Sequence, residues 1–184
     1  MVTAVLPRVT PEDLLEMPDR DRFELVRGEL VPREMSNQSS FIGFGLNRQM
    51  GNHIAELNLG IGFQSDCGLQ IFPWDEGRVR YADGAFLSSA RVPEGVPGRG
   101  HLRVAPDLVF EVVSPGDIFV DGETKIEEYL RAGVRLIWTL IPSVRVVRVD
   151  RADRTGTRLT ADDTLSGEDI LPGFSVRVGD ILPE

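Results

Sequence analysis

The sequence predicts one α/β (α+β) domain with a mixed central β-sheet flanked by helices, and three observations carry that expectation. Residues 107–114 form an almost unbroken apolar run, as expected of a central strand buried on both faces. A helical pattern at 121–132, closed by Gly133, lies between that run and a second apolar run at 136–141, so a helix connects two strands. Finally, the 184 residues show no internal repeat, linker or low-complexity segment, and 41% of them are hydrophobic, enough for one sizeable core across residues 1–184.

The elements follow in order. Thr10 followed by Pro11, Glu12 and Asp13 is a helix start, and Leu14, Leu15 and Met17 supply its apolar side before Pro18 ends it. Phe23 to Val26 and Glu29 to Val31 flank Arg27-Gly28, which predicts a hairpin. Over residues 41–59, Ile42, Leu46, Met50, Ile54 and Leu57 recur at helical steps, although Gly43, Gly45 and Gly51 each cost ~1 kcal/mol in a helix interior. Strands are expected at 68–72, 79–87 and 107–114, with a Pro/Gly-rich loop at 93–100. After the helix at 121–132, residues 136–141 and 144–149 read as a hairpin parted by Pro142-Ser143, and the tail around Val176 reads as a short edge strand.

Composition narrows the function. Twenty basic residues against twenty-nine acidic ones leave a net charge of −9, which opposes unspecific attraction to phosphate backbones and anionic membranes. No apolar stretch approaches the ~20 residues of a membrane span, and Cys67 is the only cysteine, so the expected setting is cytoplasmic, with no membrane partner. The composition leaves homo-oligomerisation open. With His53 and His101 as the only histidines, neither a Cys/His zinc site nor a G-x-S-x-G hydrolase is indicated, and no phosphate-cradling glycine motif occurs.

What remains is a set of acids in apolar surroundings. In the run at 107–114, alternation puts Glu111 on one face with Asp107, Val109 and Val113. An ionised carboxylate there needs a cation, a metal or a raised pKa, unless it sits at a strand end beside an arginine. Asp83 likewise shares a face with Val79, Tyr81, Ala85 and Leu87, unless Asp83-Gly84 is a turn that splits the segment. Carboxylates on neighbouring strands can share Mg²⁺ or Mn²⁺, which take oxygen ligands and keep waters for activation. Lys125 is the third candidate. Nineteen of the twenty basic residues are arginine, and this one lysine lies on the helix that follows the Glu111 strand. Its ammonium could orient or deprotonate a metal-bound water, or could pair outward with Asp121.

The order of these signals carries a resemblance. Phe23-Glu24-Leu25-Val26-Arg27-Gly28-Glu29-Leu30 comes first, then Ala82-Asp83. Ala105-Pro106-Asp107-Leu108-Val109-Phe110-Glu111-Val112-Val113-Ser114-Pro115 follows, and last come Lys125 and Tyr129-Leu130-Arg131-Ala132-Gly133-Val134. Together they resemble the Uma-two family of restriction endonucleases, within the PD-(D/E)XK nuclease superfamily, from about Thr10 to Leu171-Pro172-Gly173-Phe174. The resemblance implies a restriction-endonuclease-like fold and Mg²⁺-dependent hydrolysis of phosphodiester bonds in DNA. Asp83 would match the first acid, Glu111 the second acid and Lys125 the lysine. The chain departs from the pattern in having Ala82 before the first acid and Val113 two residues after the second, so the lysine role passes to the following helix. Residues 36–41 also lack the histidine expected at the head of the long helix. The net charge motivates a different class as the alternative: a non-catalytic binding or regulatory module that keeps the nuclease fold.

Overall fold

The computed structural model describes residues 8–34, 36–92, 98–116 and 119–182. At Thr10 the side chain accepts from the Asp13 N–H and the Asp13 carboxylate accepts from the Thr10 N–H, a reciprocal cap that starts α1 (Pro11–Glu16). β1 (Phe23–Val26) and β2 (Glu29–Pro32) form the expected hairpin. Its turn residues Arg27 and Gly28 have φ of 55° and 80°, the left-handed pair whose twist matches the flanking strands. Leu25 then bonds Val79 through both backbone groups, tying the hairpin to the body.

The long helix α2 (Asn37–Leu57) begins four residues before the apolar pattern predicts, because Ser36 and Ser39 cap each other's backbone N–H groups. Then come β3 (Gly60–Gln64), β4 (Gly68–Leu69), β5 (Arg80–Tyr81), β6 (Gly84–Ser88), β7 (Leu108–Val112) and α3 (Phe119–Ala132). The chain continues through β8 (Leu136–Ile141), β9 (Val146–Arg151), β10 (Gly156–Leu159), β11 (Thr164–Ser166), β12 (Ser175–Arg177) and α4 (Val178–Ile181). Gly133, with φ of 99°, ends α3 as predicted.

The central sheet has six strands in the order β10-β9-β8-β7-β6-β3. β7 and β8 run parallel, joined through α3, while every other neighbour pair is antiparallel, so the sheet is mixed as expected. Its two faces differ. Leu108, Phe110 and Val112 of β7 join Trp138 and Leu140 of β8 under Ile42, Leu46, Met50 and Ile54 of α2. Val109 and Ile137 point the other way, into a second cluster with Ile126 and Tyr129 of α3. Each such side chain contributes about 1.5–3 kcal/mol when fully buried.

Several expectations need correction. The strand expected at 79–87 is broken at Ala82-Asp83 into β5 and β6, so Asp83 does not ride on a continuous apolar face. The strand expected at 68–72 ends at Leu69. β9 starts at Val146 because Pro142–Val144 makes a 3-10 turn and Arg145 takes a left-handed conformation. The glycine-interrupted β3, together with β10 and β11, was not predicted, and β12 pairs with β11 outside the central sheet. Residues 93–97 of the expected loop lie outside the described residues.

Candidate carboxylate and lysine site

Asp83 is positioned by the glycine that follows it. A Cβ on Gly84 would meet Phe110 Cε1 at 2.2 Å and Asn47 Oδ1 at 2.4 Å, so only glycine lets β6 resume beneath the Phe110 ring. The Asp83 N–H donates to Phe110 O at 3.1 Å, and Asn47 Nδ2 donates to Asp83 O at 2.8 Å. Asp83 Oδ2 accepts from the Val112 N–H at 2.7 Å, which locks the carboxylate against β7 next to Glu111. Arg33 approaches Oδ1 at 4.0 Å.

Glu111 projects from β7 toward α3. Tyr129 donates its hydroxyl to Oε1 at 3.0 Å and Lys125 Nζ lies 3.0 Å from the same oxygen. Oε2 receives no hydrogen bond among the described residues. Burial pushes the Glu111 carboxyl up to about 7, with the negative charges of Asp83 and Glu24 adding to it and Lys125 only partly opposing them. The arginine at a strand end that a structural role would offer is absent from its described contacts, and a lysine stands there instead.

Lys125 points inward, and the outward pair with Asp121 does not form among the described residues. Its Nζ lies 2.9 Å from Glu24 Oε1 and 3.0 Å from Glu111 Oε1, and it donates to Tyr81 O at 2.8 Å, so all three N–H donors are used. Burial by itself would lower its pKa, but the facing Glu111 and Glu24 carboxylates hold it above the ordinary lysine range. The two carboxylates thus favour the charged ammonium.

Glu24 is the member that sequence reasoning missed. It is 6% exposed, Oε1 accepts the Tyr81 N–H at 3.0 Å, and Oε2 accepts Arg80 NH1 at 2.6 Å. Burial would raise its pKa, yet Lys125, Arg80 and the Tyr81 N–H draw it down to about 2. Arg80 also bonds Glu128, which Arg78 meets on its other oxygen, so a charged network backs the site. The signal was present in Phe23-Glu24-Leu25-Val26, an acid inside an apolar strand, as at Glu111. His53 and His101 instead bond the carbonyls of Pro172 and Pro11.

No group of three or more His, Cys, Asp or Glu side chains able to hold a metal occurs among the described residues. The donors that Asp83 and Glu111 offer are all oxygen, which suits Mg²⁺ or Mn²⁺ and not zinc. Glu111 is also raised toward its neutral form, with one oxygen receiving no hydrogen bond among the described residues, so a small divalent cation fits the chemistry of the pair.

A family model, Uma2, described as "Putative restriction endonuclease", matches residues 11–179. Among solved structures, the fold superposes on the crystal structure of "a putative nuclease belonging to DUF820" from Anabaena variabilis ATCC 29413, with a TM-score of 0.77. The two share 16% sequence identity over 95% of this chain and 97% of the other, a likeness of fold. No curated protein matches the chain.

Proposed function

The chain belongs to the Uma2 family, and on that premise we propose that it is a divalent-metal-dependent endonuclease hydrolysing phosphodiester bonds in DNA. The observation that supports this reading is the convergence of Asp83, Glu111 and Lys125 from a strand break, a central strand and a helix. Asp83 and Glu111 would hold Mg²⁺ or Mn²⁺. Such a cation, when bound, stabilises negative charge on phosphate oxygens and acidifies a bound water.

The chain's own residues do the rest. The Val112 N–H fixes the Asp83 carboxylate, and the Tyr129 hydroxyl fixes Glu111 through Oε1 while leaving Oε2 to face a ligand. Lys125 stays protonated and orients the attacking water, exchanging one of its present acceptors for it. Glu24 retains the ammonium in place during that exchange. A DNA substrate carries with it a cytoplasmic setting, and among the described residues no helix is long and apolar enough to cross a membrane.

The second reading, a binding or regulatory module that keeps the fold, draws on the net charge of −9 and on the fully occupied donors of Lys125. Incubation with varied DNA and RNA substrates in Mg²⁺ or Mn²⁺, beside an Asp83→Ala variant, separates the two. Cleavage lost in the variant is the expected result. Equal cleavage by both proteins, or none by either, overturns the catalytic reading.

A further inference from the structure

Helix α2 turns two phenyl rings into solvent. Phe41 and Phe44 are 67% and 66% exposed, and Arg48 completes a stripe at i, i+3 and i+7, opposite the buried Ile42, Leu46 and Met50. Phe44 and Arg48 of this stripe line one wall of a groove of about 520 Å³, the edge strand β3 forms the other through Ile61 and Phe63, and Phe41 lies one helical turn before Phe44, just beyond the groove. In a chain with twenty-nine acids, no carboxylate lines this groove among the described residues. Arg48 has no ion pair among them either. A Cβ on Gly51, on the helix side of the groove, would meet nothing within 4 Å, so internal packing does not explain a residue that weakens the helix. Asn47 joins the groove to the carboxylate and lysine site, because it lines the groove and donates to Asp83 O at 2.8 Å.

We propose that this groove and the exposed ring at its end bind an unpaired nucleic-acid strand beside Asp83, with one base stacked on Phe44 in the groove, the next on Phe41 just outside it, and a phosphate paired with Arg48. The proposal rests on the nuclease reading for its choice of ligand. Aromatic faces accept any base, and duplex DNA keeps its bases stacked and unavailable to them, so the pairing of exposed rings with a free guanidinium selects single strands. The absence of acids from the groove lining among the described residues gives the phosphates an approach that the overall charge would otherwise oppose.

The test measures binding without cleavage. A fluorescently labelled oligo-dT and a labelled duplex are titrated with the full chain in EDTA and followed by anisotropy. The wild-type protein should prefer the single strand, and a Phe41→Ala/Phe44→Ala variant should bind it at least tenfold more weakly with its melting temperature and duplex binding unchanged. Arg48→Ala should lower the slope of log affinity against log salt by about one. Wild-type protein that ignores oligo-dT, or a double variant that binds it as tightly, overturns the proposal. So does sedimentation showing that the same variant turns a dimer into a monomer, which would make a second copy the occupant. Rings that matter for binding in a protein that cleaves nothing would sink the nuclease reading alone.

Discussion

The two faces of the central sheet are built to opposite rules. The face under α2 is mainly apolar, with Leu108, Phe110, Val112, Trp138 and Leu140 packed against Ile42, Leu46, Met50 and Ile54. The face under α3 starts the same way at Val109 and Ile137, and then gives way to Glu111, Lys125, Tyr129 and Glu24. Buried charges rarely add stability, since losing hydration offsets much of their attraction. The difference teaches that one face holds the fold while the other can carry an arrangement that folding alone would not favour. The contrast recurs within the site. Glu24 and Glu111 touch the same ammonium, yet one is drawn to about 2 and the other pushed to about 7. Glu24 has Arg80 and the Tyr81 N–H as well, whereas Glu111 faces Asp83 and shares Lys125.

The largest effect that sharpens this comparison lies on the apolar face. Trp138→Ala, deleting a fully buried ring stacked 5.8 Å from Phe174, should cost about 3–5 kcal/mol in denaturant unfolding. It should leave any stabilisation by Mg²⁺ intact, and a metal response lost with the indole would show that the two faces are not separable.

Next comes pH. The folded Glu111 carboxyl titrates near 7 against an ordinary 4.5, so between those values the folded state holds a proton that the unfolded chain has lost. Its contribution is complete below about 4.5 and disappears as pH rises through 7. Metal-free stability should therefore fall from pH 5 to pH 8 by up to about 3 kcal/mol from this group. Glu111→Gln should flatten the decline. Glu24 has the opposite sign: its contribution is present above about 4.5 and is lost as pH falls toward 2. A metal-free melting temperature that climbs between pH 5 and 8, unchanged by Glu111→Gln, would contradict the assignment.

A smaller shift is expected from divalent ions. Mg²⁺ or Mn²⁺ at a hundred times its dissociation constant should stabilise the protein by about 2.7 kcal/mol, more visibly at pH 8 than at pH 6, and Asp83→Asn should blunt it. Monovalent salt at equal ionic strength is the control, and an equal response to both would remove the metal site. The smallest stability change should follow Lys125→Arg, which keeps the charge at a cost on the order of 1 kcal/mol. Cleavage should nevertheless fall steeply with metal binding retained, because guanidinium cannot reproduce three short contacts to Glu24, Glu111 and Tyr81. Full turnover in that variant would leave Lys125 a structural cation.

Signals confined to a few residues were enough for α1, the β1–β2 hairpin, the core strand β7 and the end of α3. A cap, a turn pair, an apolar run and a terminal glycine are local physics, and the sequence by itself determined them. The same locality made Glu111 legible, as an acid within an apolar strand. Only the tertiary structure decided the rest. Asp83 is set by a ring from β7 that closes over Gly84, a contact no strand alternation reveals. Glu24 carried the same signal as Glu111, but its partner Arg80 lies 56 residues away and Lys125 farther still. Lys125 could have faced Asp121 or the sheet, since helix geometry permits either. Two carboxylates brought together from β1 and β7 in a site short of water settled its direction, because charge attraction across the fold grows as the surroundings lose solvent.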